Sequence, residues 1–210
     1  MKKRTIGICL SLVLLLLCGC SNSHDNGVKT VKVSNFTDLI FDKDVLLPNP
    51  DFAWGMTTDD FLSKVYGADT MDPDSENFDN YRYSHSEEAN ITTFSPPISY
   101  AIDGISDKAD VGYAFDANGL YQSAYSWIFK SSETEKAAKT VEVLAADLNA
   151  NPNIAANRFE MPDLSKDARD NPSFLYEYKW SLVNGAEQSI KLLVSGKIPN
   201  AIIVTLAIGK

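Results

Sequence analysis

Residues 174–183 read FLYEYKWSLV, followed by AEQSIKLLVSG at 186–196 and NAIIVTLAIG at 200–209. In the first stretch Phe174, Tyr176, Tyr178, Trp180 and Leu182 point one way, and Glu177, Lys179 and Ser181 the other. A period of two is that of a strand with one face buried. Asn184-Gly185 supplies a turn into the second stretch, so the chain closes with three strands.

Upstream, Asn153 to Pro172 is polar and aperiodic and reads as an irregular loop. Before it, Ser132-Glu133-Thr134-Glu135 has the form of a capping box, and the helix it opens runs to about Asn149, where Asn151-Pro152 stops it. Ala137, Val141, Leu144, Ala145 and Leu148 form its apolar stripe; Lys136, Lys139, Glu142 and Asp147 lie largely off it. The pattern is that of a helix packed on a sheet.

Further upstream the alternation predicts strands at 91–95, 98–103, 109–116 and 120–129, the last two joined at Asp116-Ala117-Asn118-Gly119, where Asn-Gly is a hairpin signal. Val111, Tyr113 and Phe115 share a face, as do Tyr121, Tyr125, Trp127 and Phe129 on the next strand. Asp69 to Asn80 is an acidic, turn-rich loop. In DFAWGMTTDDFLSKVYGAD, Thr57 or Thr58 can cap a helix, Asp59 and Asp60 complement its positive end, and Gly67 can supply a left-handed stop. Phe61 with Val65 and Leu62 with Tyr66 are i, i+4 pairs facing inward. VKVSNF at 31–36 alternates weakly like a strand, and Pro48 and Pro50 make DKDVLLPNP a loop.

Trp54-Gly55-Met56 before a capped helix resembles a "WGM(S/T)" entry found in uncharacterised small bacterial envelope lipoproteins, where it precedes helices packed on an antiparallel sheet. The order helix, strands, helix, three strands resembles the β-lactamase-inhibitor-protein-like and BamE-like two-layer folds. We therefore expect an α+β fold: two layers, with helices on one face of a curved antiparallel sheet, built from two diverged helix-plus-meander units, 52–130 and 131–210. A fold-level resemblance carries no function by itself.

Location is written in the first twenty residues, MKKRTIGICLSLVLLLLCGC. Lys2, Lys3 and Arg4 precede an apolar run from Ile6 to Leu17, the layout of a secretory signal peptide. Counted out to Cys20 the run spans about 22 Å at ~1.5 Å per residue, short of the roughly 30 Å of a bilayer's hydrocarbon. Its end, Leu17-Cys18-Gly19-Cys20, resembles the lipobox of bacterial lipoproteins, with Cys18 a small residue where Ala, Ser or Thr is usual. The resemblance implies cleavage after Gly19 and acylation of Cys20. The domain organisation is then a signal peptide at 1–19, a lipidated cysteine with a flexible tether at 20–30, and one α+β domain at 31–210. Two or three acyl chains on one residue suffice for a stable anchor.

The formal net charge is −9; the leader holds three of the 19 basic residues and none of the 28 acidic ones, so the remainder carries about −12. Such a balance, with no Lys/Arg cluster, excludes a nucleic-acid partner and a polybasic grip on lipid. Cys9, Cys18 and Cys20 are the only cysteines, leaving the domain no disulfide, thiol nucleophile or Cys-ligated zinc. Stability must come from the core, and a 44% hydrophobic composition is ample for one.

Candidate sites are few. Asp72-x-Asp74-x-Glu76 hints at calcium, but an EF-hand loop starting at Asp72 needs Gly at 77 and Glu at 83, where Asn77 and Tyr83 stand; a solvated loop is the simpler reading. His24 and His85 are too few for a histidine metal site, and Ser84 and Ser86 flank His85 on a chain whose neighbouring side chains point apart. Neither GxGxxG nor GxxxxGK[ST] occurs. No catalytic, cofactor or metal residue is assigned, and the chain is not read as an enzyme.

Tyr81, Tyr83, Tyr100, Tyr113, Tyr121, Tyr125 and Trp127 cluster in the first half; they either build the sheet core or face a partner from the side the helices leave bare. The expectation is a lipid-anchored extracytoplasmic binding or assembly module of the bacterial envelope, held to the membrane through Cys20 and binding a protein or cell-wall partner. The alternatives are an inhibitor or immunity-type lipoprotein acting on an extracellular enzyme, or a carboxylate-based hydrolase.

Overall fold

The alternation at 174–183 becomes an edge strand of one large mixed sheet. In the computed structural model, residues 28–67, 83–171 and 173–210 are described. The chain runs through β1 (Lys29–Val33), a 3-10 turn (Phe36–Leu39), β2 (Phe41–Asp42), β3 (Val45–Leu46) and α1 (Thr58–Tyr66). It continues with β4 (Tyr83–Ser86), β5 (Ile91–Phe94), β6 (Ile98–Ile102), β7 (Ala109–Asp116) and β8 (Gly119–Lys130). The last elements are α2 (Thr134–Ala150), α3 (Leu164–Asp170), β9 (Leu175–Ser181), β10 (Ser189–Ser195) and β11 (Ala201–Gly209).

Among the described residues nine strands form the main sheet in the order β1-β6-β7-β8-β11-β10-β9, with β5 pairing the distal half of β7 and β4 pairing β5; β2 and β3 make a separate hairpin. The fold is α+β, as the sequence implied. One pair departs from a wholly antiparallel sheet: β1 runs parallel to β6. The two proposed units share one sheet and one core, because β8 pairs antiparallel with β11 over nine residue pairs.

Local chemistry explains the elements. Thr57 caps α1, accepting from the Asp60 N–H at 3.1 Å and donating to its carboxylate at 2.9 Å, and Gly67 ends the helix at φ 64°. At α2 the capping box does not form: the helix starts at Thr134, and Glu133 instead accepts the Lys130 N–H at 3.0 Å and the Lys136 ammonium at 2.7 Å. The stripe is as read, with Ala137, Val141, Leu144, Ala145 and Leu148 all buried. Burying each of the larger side chains contributes about 1.5–3 kcal/mol.

The irregular loop holds a helix the sequence hid. α3 is seven residues long, buries only Leu164, and is capped by Asp163 accepting the Lys166 N–H at 3.0 Å; so short a helix shows no periodicity. β4, at the start of the alternating region, and the β2–β3 hairpin, turned by Lys43 at φ 58°, are likewise additions. β1 begins at Lys29, within the stretch read as tether. Asn149 fastens the rest of the loop: its Oδ1 accepts from Trp180 Nε1 and the Asn157 N–H, both at 2.9 Å.

At the β7–β8 hairpin the turn residues are Ala117 and Asn118, with Asp116 Oδ1 accepting the Asn118 N–H at 2.7 Å and Gly119 following at φ 94°. Here the Trp54-Gly55-Met56 stretch docks backbone to backbone. Gly55 N–H donates to the Leu120 carbonyl at 2.9 Å, and Leu120 N–H to the Met56 carbonyl at 2.8 Å. A Cβ on Gly119 would stand 2.5 Å from the Gly55 oxygen and 2.7 Å from that of Met56. A bulge just beyond, where the register steps from Ala114↔Gln122 to Phe115↔Leu120, passes over Tyr121. Tyr121 therefore packs against Ala114, Ala124 and Ala207 on the opposite face from Tyr125, Trp127 and Phe129, correcting the expectation that the four share a face.

Gly119→Ala should cost about 3 kcal/mol or more, combining an unfavourable φ with displaced backbone. Gly185→Ala, at φ 74° with open space around its Cβ, should cost only about 1 kcal/mol. Denaturant unfolding of the two variants measures the difference; equal costs would mean that the docking does not constrain the fold.

Candidate binding surface

The helix-covered face holds the aromatic side chains. Tyr100, Tyr113, Tyr125 and Trp127 are buried, and Phe36 packs edge-on to Tyr125 with ring centroids 5.0 Å apart. The tyrosine hydroxyls fasten the segment before α1. Asn49, itself buried, donates to the Tyr100 oxygen at 2.6 Å and accepts the Asp51 N–H at 3.0 Å. Tyr125 donates to the Pro48 carbonyl at 3.0 Å, and Tyr113 joins through side-chain hydrogen bonds to Tyr100 and Asn49. Tyr83 is half-buried against Phe94. Trp54 is an anchor as well, its Nε1 donating to the Leu46 carbonyl at 2.7 Å. The aromatic cluster is thus core and fastening; of the tyrosines described, only Tyr121 lies on the other face.

That other face is where a surface exists. Among the described residues every helix packs on the aromatic side. Cross-strand register lays out the second face in rows. One row runs Ile128–Ile203–Ser195–Leu175 across β8, β11, β10 and β9. The next runs Asp110–Ser126–Thr205–Leu193–Glu177, with the Ser126 and Thr205 hydroxyls 3.0 Å apart. A third holds Gly112, Ala124, Ala207, Lys191 and Lys179.

The centre is apolar or small and the border is charged with both signs. Ile203 and Leu193 are almost fully shielded, whereas Ile128 and Leu175 are 40% and 41% exposed. Among the described residues four large apolar side chains are exposed, and half of them fall in this one row. The Lys179 ammonium lies 3.5 Å from Glu177 on the outermost strand, an exposed pair worth little to stability.

The sequence carried a signal for this face that the period-two reading passed over. In β11, AIIVTLAIG, apolar residues occupy both parities, as do Trp127-Ile128-Phe129 in β8 and Leu192-Leu193-Val194 in β10. Near-continuous apolar strands are those covered on both faces.

Other candidates are placed as follows. His85 on β4 is exposed and its Nδ1 lies 3.1 Å from the Thr92 hydroxyl; Ser84 and Ser86 flank it without bonding to it. Gly19, Cys20, His24, Asp72, Asp74, Glu76 and Tyr81 lie outside the described residues. Among the described residues there is no group of three or more His, Cys, Asp or Glu able to hold a metal, and no helix long and apolar enough to cross a membrane. No protein-family model, curated protein or solved structure matches the chain.

Burial raises the Tyr100, Tyr113 and Tyr125 phenols above their ordinary range, so all three remain donors or neutral acceptors at physiological pH. Tyr176 is pushed up to about 12, chiefly by donating to Asp167 at 2.6 Å. A folded-state pKa above the unfolded value makes the contribution full below about pH 10 and lost as pH rises further. In an alkaline absorbance titration the buried phenols should ionise only as the protein unfolds. Release of all nine tyrosine protons near pH 10 with the fold intact would contradict this placement.

Proposed function

We propose that this protein is a lipid-anchored, extracytoplasmic binding module of the bacterial envelope that holds a protein partner on the sheet face opposite its helices. The observation that carries the reading is the Ile128–Ile203–Ser195–Leu175 row with its shielded centre and exposed flanks. An apolar centre with a charged rim is the anatomy of a protein interface. The double-sided apolar pattern of β11 supports it, since such a strand has lower free energy with both faces covered. A leader ending in Leu17-Cys18-Gly19-Cys20 supports the anchor, with the acyl chains on Cys20 as the membrane contact. The mature charge of about −12 favours a basic partner surface, which is also what an inhibitor of a basic extracellular enzyme would need.

Two experiments test the two halves of the proposal. Cys20→Ala should abolish fatty-acid labelling of the protein in cells and leave the leader uncleaved; unchanged labelling removes the anchor. A photo-crosslinking residue in place of Ile128 should give a discrete protein adduct in intact cells, and one in place of Glu142, exposed on α2, should not. Adducts of equal yield from both positions would reject the sheet face as the binding surface.

A further inference from the structure

A concavity of about 460 Å3 lies where β1 enters the fold, lined by Lys29, Asp51, Phe52, Lys64, Val65, Pro97 and Ile98. It is built by four segments. Lys29 opens β1 and pairs with Ile98 at the start of β6; Lys64 and Val65 come from the last turn of α1; Asp51 and Phe52 come from the segment that the tyrosine hydroxyls fasten. Phe52 is buried against Phe61 and Tyr113, which makes that wall rigid and apolar. Its size is that of a small-molecule site, in which apolar walls and a few polar groups divide the work of binding.

The charges are arranged unusually for so acidic a chain. Both lysines are exposed, and neither makes a salt bridge with a carboxylate among the described residues. Lys64 is instead positioned by donating to the Asp51 backbone carbonyl at 2.9 Å, a neutral acceptor that holds the ammonium without cancelling its charge. The Asp51 carboxylate also lines the concavity, so the formal balance of the lining is two positive against one negative. Charges elsewhere on the chain are screened beyond about 8 Å at physiological salt. The described lining thus carries a net positive formal charge.

We propose that this concavity binds an amphiphilic anion, a phosphate or carboxylate carried on a short apolar group, with Lys29 and Lys64 holding the anion and Phe52, Val65, Pro97 and Ile98 the apolar part. The site is distinct from the sheet face of β8 to β11. Lys29 is nine residues beyond Cys20, a reach of at most about 32 Å when extended, so with the anchor in place the concavity lies within range of a bilayer's headgroups.

Calorimetric titration of the full chain with monomeric octyl phosphate, inorganic phosphate and octyl glucoside separates the two contributions. Octyl phosphate should bind at least about tenfold more tightly than either of the others, and Lys29→Gln and Lys64→Gln should each weaken it by about tenfold, as expected for loss of one charge-assisted contact. Lys139→Gln, exposed on α2, should leave it unchanged. Vesicles containing phosphatidylglycerol that displace octyl phosphate would make the source a lipid headgroup; failure to displace it would make the source a soluble amphiphile. Octyl glucoside or inorganic phosphate binding as tightly as octyl phosphate overturns the proposal, as does unaltered octyl phosphate affinity in the Lys29→Gln/Lys64→Gln double variant, or no binding to the folded wild-type chain.

Discussion

The fold depends on the pairing of β8 with β11. Nine residue pairs, from Ala201↔Lys130 to Gly209↔Gln122, join segments about eighty residues apart in the chain. Closing a loop of that length costs entropy that grows only slowly with length, roughly 0.6 kcal/mol per doubling. What offsets it is the burial that pairing makes possible. Trp127, Tyr125 and Phe129 come into one layer with Ile202, Val204, Leu206 and Ile208, and α2, which directly follows β8, lays Val141, Leu144 and Leu148 over that layer. β7 and β10 pair with the outer edges of these two strands, and the other strands of the sheet add beyond them.

The polar groups inside the core are spent on attachment. The segment from Pro48 to Met56 has little regular structure of its own, and three kinds of contact hold it. Tyr125 and Asn49 fix its start, Trp54 Nε1 fixes it to Leu46, and the backbone exchange between Gly55, Met56 and Leu120 fixes its end. Buried hydroxyls and amides are tolerated where their hydrogen bonds are made. Asp147 plays a similar part on α2, accepting the Phe36 N–H at 3.0 Å to hold the 3-10 turn; its burial raises its pKa, so its charge is carried at some cost. The concavity at Lys29 and Lys64 exists because this segment is pinned beside the entry of β1.

The two faces of the sheet then have different fates. One is sealed by helices over aromatic side chains, where the contacts are specific and edge-on, as between Phe52 and Tyr113 at 5.0 Å. The other carries small and aliphatic residues between charged borders. The tyrosines that attracted attention as a binding surface serve the inside, and the binding reading passes to Ile128, Leu175 and their row.

The sequence by itself determined the α+β class, the three closing strands, α1 with its Thr57 cap and Gly67 stop, and the buried stripe of α2. Each is set by periodicity or by a residue whose backbone preference is local. The Lys-rich start, apolar run and Cys20 of the first twenty residues are equally local features. Tertiary structure alone decided the rest. The parallel seating of β1 and the backbone docking at Gly119 join residues distant in sequence. The face of Tyr121 turns on a bulge that shifts register by one residue, which moves a side chain across the sheet without changing a letter of the pattern. Whether an aromatic is core or surface depended on which face α2 covered, and an amphipathic helix fixes only its own apolar side. The concavity depended on four segments meeting, and charge becomes a site only where packing brings it together.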